Sequence, residues 1–130
     1  MAAPNIVGVT TITGVTTTHN HSNTEIITLV NNPRGSERSY KINNISVSNI
    51  DTTNAGLVTY KHHQATGSIF GVPGAGTSIS ICNQLGIATG TTIVVTDRAS
   101  AFYLQEGECI SGQANVANLL NTIISYEIIE

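Results

Sequence analysis

The chain has 130 residues, a formal net charge of −3 and only 10% charged side chains, against about 25% in an average globular protein. That length suits a single domain that buries a core without help from disulfides or metals. The five basic residues, Arg34, Arg38, Lys41, Lys61 and Arg98, are too few for a phosphate-tracking stripe, which argues against nucleic acid as a partner.

No stretch reaches the length of a membrane-spanning helix, and the N-terminal residues lack the basic, apolar and small-residue regions of a signal peptide, so no membrane contact and synthesis in the cytoplasm are expected. There Cys82 and Cys109 stay reduced and behave as small buried hydrophobes. Polarity comes mainly from Thr, Ser and Asn, and the abundance of β-branched Ile, Val and Thr favours a pleated sheet over helix. The expected fold class is all-β, a single antiparallel β-sandwich of about eight strands, jelly-roll-like, over residues 19–130, with residues 1–18 as an extended N-terminal arm or first strand.

In chain order, the Thr- and Val-rich segment 1–18 alternates weakly and suits an extended arm that could pair with a neighbour's sheet edge. Residues 25–30 form a strand with apolar side chains on both faces, stopped by Asn31-Asn32-Pro33. Between Tyr40 and Ile50 the apolar phase slips: Tyr40 and Ile42 are even, Ile45 and Val47 odd, with Asn43-Asn44 between. One extra residue restores the alternation, which predicts a β-bulge. Residues 51–56 make a loop, 57–63 a strand and 64–68 a turn. The segment Gly71-Val72-Pro73-Gly74-Ala75-Gly76 is a loop, and Ser78-Ile79-Ser80-Ile81-Cys82 alternates with both isoleucines on one face. Further strands are expected at 91–95, 102–108 and 120–127, with 86–90 and 107–118 as connections.

Candidate chemistry is sparse. His19 and His21 are two residues apart, so on a strand both rings share a face, and Glu25 could join them as a third metal ligand. Two histidines in a Thr-Thr-His-Asn-His-Ser context fit an exposed loop equally well, so no metal is assigned. His62 and His63 point to opposite faces of a strand, one packed and one exposed. Asp97, Glu106 and Glu108 do not form an acid-base pair, since Glu106 and Glu108 flank a turn glycine and are expected to be solvated charges guarding a sheet edge. No nucleophile motif is present, and the loop before Ser78 lacks the lysine of a phosphate loop. No catalytic residue and no cofactor are expected. The basic residues 34, 38 and 41, interrupted by Glu37, are expected in a solvated loop.

The opening Met1-Ala2-Ala3-Pro4-Asn5-Ile6-Val7, the segment Phe102-Tyr103-Leu104-Gln105-Glu106-Gly107-Glu108 and the ending Ser125-Tyr126-Glu127-Ile128 resemble small β-rich virion structural proteins of tailed bacteriophages, cyanophages among them. The resemblance implies a non-enzymatic virion protein, first a capsid decoration or cement protein bridging capsomers. A neck, collar or tail accessory protein is the alternative. The implied partners are the major capsid protein or other virion proteins and further copies of the chain, a trimer being favoured. Thr10, Thr11, Ile12, Val15, Tyr126 and Ile128 are the candidate interface residues, because a terminal strand apolar on both faces is either central or covered by a second subunit. A third possibility is a glycan- or receptor-binding module using Tyr60, Tyr103 or the His19 and His21 face. The absence of Trp argues against a stacking platform for sugar rings.

Overall fold

A computed structural model describes residues 11–64 and 78–130. Thr10 and the 71–76 loop lie outside the described residues. The strands are β1 (Ile12–Asn20), β2 (Ile27–Asn31), β3 (Ser39–Asn49), β4 (Gly56–His63), β5 (Ser78–Ile87), β6 (Thr92–Thr96), β7 (Phe102–Leu104), β8 (Cys109–Ala114) and β9 (Leu120–Ile129). They form two antiparallel sheets, one ordered β1-β9-β3-β6 with β7 also on β3, the other β2-β8-β4-β5.

The order has a simple logic. β6 and β7 both pair with β3, at Ile45–Thr96 and at Ile42–Phe102, so they are two pieces of one strand. With that strand counted once, the first pairs with the eighth, the second with the seventh, the third with the sixth and the fourth with the fifth. A long hairpin rolled up in this way is a jelly roll, the architecture expected from the sequence.

The expected β-bulge is present. The register of β3 on β9 shifts between Ile42 and Asn44, which lets Ile42 and Ile45 both face the core, where each is fully buried. The same place on the other side of β3 faces the break between β6 and β7. There Asp97 caps a 3-10 turn (Arg98–Ser100), its Oδ1 accepting from the amides of Ala99 at 3.0 Å and Ser100 at 3.1 Å. Asp97 is thus a capping residue of this turn.

Ile42, Ile45, Val47, Leu120 and Ile124 from one sheet meet Val58, Tyr60, Ile110 and Ala114 from the other. Burying each of the large side chains contributes about 1.5–3 kcal/mol. Two buried asparagines pin loops to this core. Asn32 donates to the carbonyls of Arg38 (2.9 Å) and Leu104 (3.0 Å), and Asn49 donates to those of Asn54 (2.9 Å) and Ile87 (3.0 Å). Each amide satisfies carbonyls that a sheet ladder leaves over.

Three expectations are corrected. Residues 109–114, expected within a connection, are β8, the strand between β2 and β4. Its Gly112 explains the disguise: a Cβ there would lie 2.6 Å from Leu29 Cδ1 and 3.3 Å from Tyr60 Cε1, so large neighbours leave no room for the side chain that would have marked a strand. The strand expected at 102–108 ends at Leu104, because a turn with Gly107 at φ 83° follows. The alternation at 78–82 is interrupted by a register shift of β5 on β4 between Ser80 and Cys82, and Ile79 is exposed.

Residues 12–20 pair along their length with the chain's own β9, from Ile12–Ile129 to Asn20–Asn121. The described part of segment 1–18 is therefore a first strand at the sheet edge.

Candidate functional site

The broad outer face of the β1-β9-β3-β6 sheet is set by pleat and register. Thr18, Ile123, Ser46 and Val94 lie side by side across four strands, and Asn20, Asn121, Ser48 and Thr92 form the next row. Neighbours in these rows bond to one another: Asn20 Nδ2 donates to Asn121 Oδ1 at 2.8 Å, and Ser48 Oγ lies 2.9 Å from Thr92 Oγ1. Charge enters through the paired positions Lys41 and Glu127, and Glu127 Oε1 already accepts from Asn43 at 2.7 Å. Ile12, Ile123 and Val94 stand out of this neutral surface, 58%, 41% and 54% exposed. Away from Lys41 and Glu127, such a face can meet another protein without stripping water from charges.

The expected interface residues divide across the sheet. Thr11 exchanges two backbone hydrogen bonds with Glu130, both 3.0 Å, and Ile12 projects outward. Val15 sits opposite Tyr126 on the inward side, while Tyr126 and Ile128 pack against the core. Tyr126 also stacks on Tyr40, with ring centroids 5.4 Å apart. Ile123 and Val94 are exposed apolar side chains on this face that the sequence did not single out. The parity of Ile123 opposite to Leu120, Thr122 and Ile124 was the available signal.

The structure brings His19 and His21 together, ring centroids 4.9 Å apart and edge to face. His21 is not an exposed loop residue: it is 1% exposed, and its Nε2 lies 2.7 Å from Thr122 Oγ1, which lies 2.6 Å from Tyr60 Oη. The chain of bonds joins both sheets through the core. Burial first, and His19 second, lower the His21 pKa from 6.5 to about 4, while burial pushes the Tyr60 phenol up. No group of three or more His, Cys, Asp or Glu poised for a metal occurs among the described residues, and Glu25 does not complete one.

Neither of the paired histidines is exposed. His63 bonds Ser111, Nε2 to Oγ, at 2.8 Å, and His62 is half-buried with its Nε2 3.3 Å from Glu108 Oε1. Ser111 and His63 have the residue types of a nucleophile and base, but at 2% and 4% exposure the hydroxyl is closed to a substrate. Glu106 is likewise no solvated edge guard. It is buried, and its Oε2 accepts from the backbone N–H of Glu37 at 2.7 Å, holding a residue with φ 56°. Glu108 Oε1 accepts from the Gln105 amide at 2.7 Å, closing its own turn. Arg38 pairs with Glu130 at 2.5 Å on the surface. Tyr60 is fully buried, which removes it as a glycan contact. Tyr103 lines a groove of about 400 Å³ between the β5 and β6–β7 edges with His62, Ile79, Ile81 and Phe102. Cys82 and Cys109 are unpaired thiols, both pushed up by burial.

No family model and no curated protein matches the chain. Among solved structures the fold is similar to a chain of the T13 IBDV viral particle, with a TM-score of 0.50 and 10% identity over 91% of this chain and 31% of that one. The chain thus spans under a third of that protein, and the likeness is one of fold.

Proposed function

We propose that the protein is a non-enzymatic structural component of a virion, and more specifically a decoration or cement protein that bridges capsomers of a tailed-phage head. The observation that carries the reading is the neutral outer face of the β1-β9-β3-β6 sheet, with Ile12, Ile123 and Val94 exposed on a rigid frame. The jelly-roll likeness to a viral particle chain supports it, as does the lack of an accessible nucleophile-base pair among the described residues. Weak, uncharged contacts of this kind become firm attachment when symmetry repeats them, which favours a trimer or another closed oligomer. Among the described residues β1 has only β9 as a strand partner, which offers its other edge to a neighbouring subunit.

The test is quantitative mass spectrometry of purified particles. A ratio near one chain per major capsid subunit, or one trimer per local three-fold, is expected. A ratio of a few per cent moves the protein to the neck or tail, and its absence from particles overturns the virion reading.

A further inference from the structure

A recess of about 290 Å³ lies on the opposite side of the sandwich, on the outer face of the β2-β8-β4-β5 sheet. Its polar lining is Thr24, Thr59, Gln84, Gln113 and Asn115, beside the apolar Leu57 and Ala114, with no charged side chain among the described residues. Thr59 and Gln113 are directly opposed on β4 and β8. Gln84 arrives from the irregular part of β5 with φ 51°, its backbone N–H donating to Thr59 Oγ1 at 3.0 Å. From the geometry of this recess we propose that it binds one uncharged saccharide unit.

The argument rests on which hydrogen-bonding positions are used and which are left. Gln113 Nε2 donates to the Thr24 carbonyl at 3.1 Å, and Asn115 Oδ1 accepts from the Leu57 amide at 2.8 Å. Those bonds hold both side chains in place. Among the described residues they leave, on the side chains lining the recess, Gln113 Oε1 with one N–H, both N–H groups of Asn115, the whole Gln84 amide and the hydroxyl proton of Thr59. Donors and acceptors are thus mixed, which matches sugar hydroxyls, each of them both donor and acceptor. A carboxylate or ammonium ligand would find no opposite charge here and would lose its hydration uncompensated. Leu57 supplies an apolar wall for the C–H side of a ring.

The volume falls just below the usual range of ligand sites, about 300–1,000 Å³, and so favours one ring over a chain. Fixing two of the amides before binding lowers the ordering cost. With no aromatic ring to stack on, the affinity of one site is expected in the millimolar range. The inference rests on the recess alone and stands apart from the virion reading.

The test is an NMR titration of the purified protein, following side-chain amide signals of Gln84, Gln113 and Asn115. The ligands are glucose, galactose, mannose, fucose, N-acetylglucosamine and N-acetylgalactosamine, with sialic acid as the charged comparison. At least one neutral sugar should shift these signals with a Kd on the order of 1–10 mM. Gln84→Ala, at an exposed position, should weaken binding about tenfold while leaving the backbone spectrum unchanged. The proposal is overturned if no neutral sugar moves the three amides, if sialic acid alone does, or if Gln84→Ala binds as well as the native chain.

Discussion

β8 and β9 hold the same place in their two sheets, each bonded to a strand on either side, yet they are built from opposite kinds of side chain. β9 sends Leu120, Thr122 and Ile124 into the core, and its large residues declare the strand. β8 sends Ile110, Gly112 and Ala114 inward and also buries Cys109 and Ser111 on the other face. The strand with small residues is the more deeply enclosed of the two. Core volume is shared between facing positions, so Leu29 and Tyr60 occupy the space that Gly112 vacates.

The contrast predicts opposite failures when each strand is altered. Ile124→Ala leaves a cavity under β9 and should cost about 4 kcal/mol, read as a lower midpoint in urea unfolding. Gly112→Val overfills β8 and should cost about 3 kcal/mol, with Gly112→Ala closer to 1 because Leu29 can swing its methyl aside. A Gly112→Val protein as stable as the native chain would remove the close-packing account of β8.

The third effect is a pH dependence from the bond chain that β9 shares with β4. Above pH 6.5 His21 is neutral in both folded and unfolded chains. Between 6.5 and about 4 the unfolded chain takes up a proton that the folded core refuses, so stability falls as pH drops, and it levels off below 4. The loss should reach about 3 kcal/mol, and acid unfolding of His21→Gln should lack that component. Equal pH slopes for the two proteins would show that His21 is not held neutral. The smallest effect on stability belongs to the outward side of β9. Ile123→Ser should change stability by less than about 0.5 kcal/mol, and under the proposed virion role it should also lower occupancy on particles, measured by co-sedimentation.

How much of this was legible depended on whether a residue's type reflected its own surroundings. The slip between Ile42 and Ile45 announced the bulge because both side chains must reach the core. The segments around β2, β3, β4, β6 and β9 carried runs of β-branched residues and were found. β8 was hidden because its character is dictated by Leu29 and Tyr60, distant in sequence. The burial of Glu106 was hidden for a similar reason, since its partner is the backbone of Glu37. His21 looked like a loop histidine because its neighbours are polar, and only the β1–β9 pairing carries it over Thr122. The contact residues inferred from the apolar side of β9 fell on the core-facing side for Tyr126 and Ile128, and parity alone does not say which side is out.

The rolled-hairpin order also sets how the chain must assemble. β4 and β5 meet early, being near neighbours in sequence, whereas Thr16 and Ser125, which face each other in β1 and β9, are 109 residues apart. Each successive pair from the hairpin tip closes a longer stretch of chain, and the last gains contacts only after paying the largest entropy. Folding on the millisecond-to-second scale of all-β domains is the expected result. A growing chain cannot complete β1 until β9 has been made, so until then Ile12 to Asn20 has no strand to join and is open to chaperones or to a second copy.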